Sequence, residues 1–217
     1  SGNLPDQEFD TFSGSASALW EMTENWDVGV ALSRAQRAPA PEELYSNANL
    51  ELIDDCIIHA ATQSCEIGNA NLKEESSNNI DLSLHWHYPS VEGFITLYYN
   101  DFQDFIYLQN TGEEIDEQAV MLYDQIDAQF VGIEAEVNWI LLESSSGNVS
   151  LSLFGDWIEG ELQSNEDVPR LPPMRFGGTL DYARGPFGAY VRGVTAAEQD
   201  KPGVNETETD GYARWDA

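Results

Sequence analysis

The sequence predicts an all-β protein, in which about eight antiparallel strands cross a membrane as the wall of a transmembrane β-barrel. Three observations support this prediction. Apolar and polar residues alternate along most of the chain, short and long connections alternate between these segments, and aromatic residues gather beside the short connections. No helical stripe longer than two turns interrupts the pattern.

The segment 79–88 shows the alternation most clearly. One face would carry Ile80, Leu82, Leu84, Trp86 and Tyr88, and the other Asn79, Asp81, Ser83, His85 and His87. The same contrast recurs over residues 12–20, 26–33, 94–105, 129–141, 148–157, 175–182 and 187–196. These segments have about the 9 to 11 residues that a tilted strand needs to cross a bilayer. A further strand is expected to start at 212–217.

The connections between these segments are of two kinds. Short turns are expected at 23–25, 89–93, 142–147 and 183–186, and long polar connections at 35–78, 103–128, 158–174 and 197–211. Bacterial outer-membrane barrels show this asymmetry, with short periplasmic turns and longer extracellular loops. Aromatic residues beside the short turns, such as Trp20 and Trp86, suit an interfacial girdle. A soluble β-sandwich, the alternative, would more often bury such rings in mid-strand.

The chain is strongly acidic. Its 39 Asp and Glu residues face only 9 Lys and Arg, giving a formal charge of -30, so nucleic acid is excluded as a partner. The acidic residues concentrate in the long connections, and 103–128 contains no Lys or Arg. The negative charge is therefore predicted outside the cell, where it either attracts cations or forms a solvated acidic surface.

Two further features limit the class of protein. No run approaches the roughly 18 consecutive apolar residues that a membrane helix needs, which excludes a helical membrane protein. Cys56 and Cys65 lie close together in a polar segment, which suits a small disulfide-closed loop in an oxidising compartment. Metal ligation by the two thiols is the alternative.

Five segments resemble, in order, stretches of the TonB-dependent outer-membrane receptors. They are SRAQRAPAPEELY at 33–45, EIGNANLKEESSNNIDLSL at 66–84, YYNDFQDFIYL at 98–108, FVGIEAEVNW at 130–139 and LPPMRFGGTLDY at 171–182. The resemblance implies a barrel of about 22 strands in the bacterial outer membrane. It also implies an N-terminal plug inside the barrel, and uptake driven by the TonB complex, which binds a short box before the plug.

The sequence itself contains neither plug nor TonB box. Residues 1–217 are therefore expected to be part of the barrel domain, with the plug domain and the final strands absent. An independent eight-stranded barrel, whose lumen would be packed with side chains, is the structural alternative.

A narrower resemblance concerns the segments EELYSN and HAATQSCEIGNANL, which are similar to the zinc-uptake branch of that family. His59, Ala61 and Thr62 match a His-x-Ala-Thr stretch of that branch, whereas the enlarged segment 48–58 and Cys65 depart from it. The resemblance suggests active uptake of a metal ion or metal chelate. Zinc or a metallophore would be the transported ligand, and no bound cofactor is expected.

The candidate metal ligands follow from this narrower resemblance. Neutral imidazole with carboxylates suits Zn²⁺, so we expect a capture site formed by His59, Asp54, Asp55 and Glu66 in the longest loop. A solvent-exposed loop histidine without a ligand role is the alternative.

Other polar residues are assigned to the wall of the barrel. His85 and His87 share the lumenal face near the short turns, which favours contact with the implied plug over a direct metal role. Glu134 and Glu136 also face the lumen and are expected to be hydrated or bonded to the plug.

Three rival functions remain open at this point. An outer-membrane lipase or protease would need a nucleophile beside a positioned base, but no Gly-x-Ser-x-Gly elbow occurs, so an enzyme is not expected. A passive porin or adhesin would show the same strand pattern and would lack a plug in the intact gene. A soluble binding module would stay monomeric without detergent.

Overall fold

The computed structural model of the chain describes residues 6–48, 56–60, 62–203 and 206–217. Its strands are β1 (Gly14–Thr23), β2 (Trp26–Arg37), β3 (Cys65–Ile67), β4 (Glu75–Tyr88), β5 (Val91–Ile115), β6 (Gln118–Ser144), β7 (Gly147–Leu162), β8 (Arg175–Arg184), β9 (Phe187–Ala196) and β10 (Tyr212–Asp216). The helix α1 (Pro41–Tyr45) lies between β2 and β3. In the described ranges, no helix has the length and apolar character needed to span a membrane.

All ten strands belong to one sheet. β1, β2 and β4 to β10 follow one another in chain order and pair antiparallel, whereas β3 pairs in parallel with β6. The sheet is open, since the ordered path runs from β1 at one edge to β10 at the other. The predicted fold class and the sequential antiparallel order are confirmed, with β10 as the expected further strand.

The prediction of a long loop at 103–128 was wrong. β5 and β6 continue through this segment as a paired hairpin, whose turn is formed by Asp116 and Glu117 with φ of 47° and 65°. A bulge between Phe102 and Phe105 and an irregularity after Asn110 shift the alternation of side chains, which hides the strand period. Asp-Glu is also not the Asn-Gly or Asp-Gly pair that usually indicates such a turn.

The register confirms that the apolar and polar positions form separate faces. Directly paired residues share a face of the sheet, and one such row contains Val30, Leu82, Leu97, Ile133 and Trp157. The adjacent row on the opposite face contains Gly29, Ser83, Thr96, Glu134, Asp156 and Arg175. The apolar face is open to its surroundings, with Leu82 47% and Leu97 49% exposed.

The enclosed hydrophobic packing lies at the end with the long connections. There, Phe102, Phe105 and Phe130 form edge-to-face pairs with ring centroids 5.2 to 5.4 Å apart, each worth about 0.5–1.5 kcal/mol beyond the area buried. The buried side chains around this end are Leu44, Cys65, Leu72, Ile106, Ile115, Val120, Ala128, Leu162 and Val168. We call α1, β3 and the hairpin extension 103–128 together the platform.

The register predicts which side chains meet lipid in the intact protein. A spin label at Leu82→Cys should be accessible to oxygen dissolved in the bilayer, and one at Ser83→Cys to a water-soluble relaxing agent. The two positions are neighbours in one strand and differ only in the face they occupy. The reverse accessibilities would mean that the register is shifted by one residue.

Candidate metal-capture site

Arg37, at the end of β2, ties α1 to the sheet. Its guanidinium pairs with Glu43 on α1 (Nη1 to Oε2, 2.8 Å) and with Glu75 at the start of β4 (Nε to Oε1, 3.1 Å). Glu75 is buried, and its other oxygen accepts a hydrogen bond from the backbone N–H of Ile106 in β5. Glu43 also accepts from the N–H of Ala40 and so caps the helix. Four elements are joined by this clamp.

Gly68, just after β3, lies directly against α1. Its N–H donates to the carbonyl of Ser46 (2.6 Å), and the next N–H, of Asn69, donates to the carbonyl of Glu43 (2.8 Å). A Cβ at Gly68 would collide with the backbone of Leu44 and the residues after it. The close approach therefore requires glycine at this position.

The segment that carries His59 is fixed at both ends. Cys65 is fully buried and pairs with Val120 in β6, and a disulfide joins it to Cys56, with 5.9 Å between the Cα atoms. Inside the loop closed by this bond, the N–H of His59 donates to the carbonyl of Ser64 (2.9 Å). The structure thus contains the disulfide expected between the two cysteines, and the pair is not available as thiolate ligands.

His59 lies on the outer surface of this loop. Its side chain is 54% exposed, and its Nδ1 is 3.2 Å from Oγ1 of Thr62 and 3.6 Å from Oε1 of Glu66. The Thr62 hydroxyl donates to Oε1 of Glu66 at 2.6 Å. Two of the four predicted ligands, His59 and Glu66, are therefore adjacent, whereas Asp54 and Asp55 fall outside the described residues.

Glu66 differs from a free loop carboxylate because it is enclosed by the platform. Its side chain is only 7% exposed, and its second oxygen accepts a hydrogen bond from the hydroxyl of Tyr123 in β6 (3.0 Å). Both carboxylate oxygens are thus already bonded, one to Thr62 and one to Tyr123. Each carboxylate oxygen has two lone pairs, so these bonds orient Glu66 without occupying all of its acceptor sites.

Among the described residues, no three or more His, Cys, Asp or Glu side chains are arranged to hold a metal ion. Structural zinc sites have four protein ligands. His59 and Glu66 therefore do not form a site of that closed type. Such an open arrangement leaves coordination positions for water, for a chelator or for side chains outside the described ranges. Weak, exchangeable binding is what this geometry can support.

The other predicted polar residues lie on the polar face of the sheet, near the opposite end. The ring of His85 lies 5.9 Å from that of Phe94, and Nδ1 of His87 is 3.5 Å from Oδ2 of Asp27. Glu136 accepts a hydrogen bond from the neighbouring Asn138. These contacts are local to the wall, and whether His85, His87 and Glu136 meet a plug stays a prediction.

Sequence reasoning missed Thr62 and Tyr123 as parts of the site. Thr62 was noticed only as a position of the His-x-Ala-Thr stretch, without a role for its hydroxyl. Tyr123 lies in the segment that was predicted to be loop, so no pattern pointed its side chain at Glu66. Tyr123 could have been found only if the extension of β6 through this segment had been predicted.

The environment of Tyr123 predicts an unusual titration. Burial, and then the hydrogen bond to Glu66, raise the pKa of Tyr123 to about 12, from about 10 for a free phenol. The folded state therefore holds this proton more tightly than the unfolded state. The resulting stabilisation is complete below about pH 10 and is lost as the pH rises toward 12.

Spectrophotometric titration of phenolate in the intact protein, compared with Tyr123→Phe, measures this pKa. The absorbance that is missing from the variant should belong to a group titrating near pH 12. If the missing absorbance instead develops near the ordinary value of about 10, Tyr123 is not bonded to Glu66.

The whole chain, residues 1–217, matches the family described as TonB dependent receptor-like, beta-barrel. Among solved structures, the copper transporter OprC is similar to this chain with a TM-score of 0.73 and 18% identity, over 94% of this chain and 30% of that one. The siderophore receptor PirA from Acinetobacter baumannii gives a TM-score of 0.66 and 13% identity, over 94% and 33%. The ferric yersiniabactin uptake receptor FyuA from Yersinia pestis gives 0.63 and 15%, over 94% and 28%.

At these identities the solved structures show a shared fold alone. The present chain spans between 28% and 33% of their lengths, in keeping with an open sheet that is one part of a barrel wall. Because the family match covers the full sequence, the chain belongs to the β-barrel domain of the TonB-dependent receptors, which are outer-membrane proteins.

Proposed function

We propose that this chain supplies the extracellular capture site of a receptor that takes up a divalent metal, zinc above all, across the outer membrane. The observation that supports this most directly is the half-exposed His59 imidazole, held at 3.6 Å from the buried Glu66 carboxylate on the platform. The relatives named above are described as a copper transporter, a siderophore receptor and a ferric yersiniabactin uptake receptor, which agrees with a metal or metal chelate as cargo.

Charge and ligand type have separate parts in this proposal. The chain carries a formal charge of -30, so an acidic outer surface concentrates cations of every kind near the loop. Calcium and magnesium prefer oxygen ligands, whereas imidazole favours borderline metals such as zinc. His59 is therefore the group that would select zinc from the cations that the acidic surface attracts.

A capture site must also release its ion. Two or three ligands on a solvent-exposed loop, completed by water, bind less tightly than a closed four-ligand site. Asp54 and Asp55 are proposed as the additional carboxylates, because they precede Cys56, the first residue of the disulfide-closed loop, by two residues and one residue. Their contribution is electrostatic and shared by all divalent cations.

Energy coupling is proposed to come from TonB, acting through parts of the protein outside this chain, with the apolar face against outer-membrane lipid. Zinc accumulation by cells that express the intact receptor should then depend on TonB. Accumulation that persists at the same rate without TonB would instead identify a passive channel.

The capture role predicts a difference between two metals. In isothermal titration of the intact receptor, His59→Ala should weaken zinc binding by at least about tenfold. Loss of an outer-shell partner usually weakens metal binding by about tenfold or more, and loss of a direct ligand should weaken it at least as much. Calcium binding should change little. Neutralising Asp54 and Asp55 to Asn should weaken both metals, because those side chains contribute charge rather than preference.

His87→Ala is the matched control for this titration, since its side chain is similarly exposed (50%) but lies at the opposite end of the sheet. It should leave zinc binding unchanged. Zinc affinity that is the same in wild type and His59→Ala would refute capture by this loop and point to a metallophore recognised elsewhere.

A further inference from the structure

We propose that Thr62 and Glu66 are positioning residues, which hold the neutral His59 imidazole with its proton on Nδ1 and thereby present Nε2 to the metal. This inference rests on the proposed capture function and assigns Glu66 a different part in it. Glu66 acts through Thr62 and His59 and does not itself touch the ion.

The assignment follows from counting donors and acceptors around Thr62. An ionised carboxylate can only accept, and Oε1 of Glu66 is 2.6 Å from Oγ1 of Thr62, so the single hydroxyl proton of Thr62 is directed to Glu66. Oγ1 of Thr62 can then only accept from its other neighbours. One of these is Ser64, whose hydroxyl donates to it at 2.8 Å.

The remaining neighbour of Thr62 is His59, with 3.2 Å between Nδ1 and Oγ1. Since Thr62 has no second proton to give, a hydrogen bond at this position requires Nδ1–H as the donor. A neutral imidazole carries one proton, so Nε2 keeps its lone pair. The two ring nitrogens lie on different edges of the ring, and Nε2 is the one left for a ligand outside this chain of bonds.

The buried end of the chain of bonds is rigid. Glu66 lies in β3, where it pairs with Met121 of β6, and its second oxygen is held by the hydroxyl of Tyr123 at 3.0 Å. The pairing and the low exposure of 7% keep the carboxylate from swinging out to the surface. Metal-bound histidines commonly donate their second N–H to such an outer partner, which orients the ring and raises its basicity.

The tautomer can be measured directly in the wild-type protein. In the metal-free intact receptor labelled with ¹⁵N-histidine, the His59 signals, identified by their loss in His59→Ala, should show a protonated Nδ1 and an unprotonated Nε2. Addition of Zn²⁺ alone should shift Nε2 most. A His59 ring with the proton on Nε2, or one that binds Zn²⁺ through Nδ1, would overturn the proposal.

Three variants distinguish the effect of the Thr62 hydroxyl on zinc binding from the effect of the side chain's shape. Thr62→Val keeps the shape but removes the hydroxyl, and should lower zinc affinity by about 10-fold to 100-fold, the usual loss for an outer-shell partner. Thr62→Ser keeps the hydroxyl and should retain most of the affinity. Thr96→Val, the matched control, makes the same change on the polar face of the sheet, where Thr96 pairs with Ser83 and Glu134, and should bind zinc like wild type.

The outcomes distinguish this inference from the proposed function. If His59→Ala leaves zinc binding unchanged, the capture function itself fails. If His59→Ala weakens zinc binding but Thr62→Val neither weakens it nor changes the His59 tautomer, only the positioning role fails. Should Thr62→Val disturb the loop, shown by loss of the Cys56–Cys65 disulfide, the wild-type tautomer and Thr62→Ser still decide the question.

Discussion

The antiparallel pairing of β5 with β6 is the interaction on which the rest of the structure depends. A strand that crosses a bilayer must have its backbone N–H and C=O groups bonded to neighbouring strands, since lipid offers no partners. β5 has 25 residues and β6 has 27, whereas crossing takes about 9 to 11. The additional residues of β5 and β6 continue the same hydrogen-bonded ladder past the membrane. There, β3 pairs with Val120, Met121 and Leu122 of β6.

In this chain, residues in the segments that resemble the family have a structural role. Arg37, Glu43, Gly68 and Glu75 all lie in the segments that resemble the family, and each is engaged in holding α1 or β4 in place. Their role is to fold the long connection between β2 and β4 onto the hairpin extension. Cys65 differs from the family pattern. It pairs with β6 in this supported region and closes the loop that carries His59 through its disulfide to Cys56. Selectivity is proposed to reside in that loop.

The membrane-crossing part of the fold could be predicted from the sequence because lipid and lumen impose opposite demands on alternate residues. Ile80, Leu82 and Leu84 show this directly. The extension of β5 and β6 could not be predicted in this way, because a bulge beside Phe102 shifts the period and no lipid selects apolar side chains there. His59 and Glu66 could be proposed as neighbours from their spacing in one loop. Thr62 and Tyr123 could not, since their contacts with Glu66 depend on the loop closing and on β3 pairing with β6.

In the proposed route of uptake, a metal is first held outside the cell by His59, beside the platform, with Glu66 behind it. Anomalous diffraction at the zinc edge, from crystals of the intact receptor soaked in Zn²⁺, tests this most directly. We expect a zinc peak about 2.0–2.1 Å from Nε2 of His59, with Glu66 still bonded to Thr62 and Tyr123. A zinc ion coordinated by Glu66, or bound elsewhere while His59 has no metal, would contradict it.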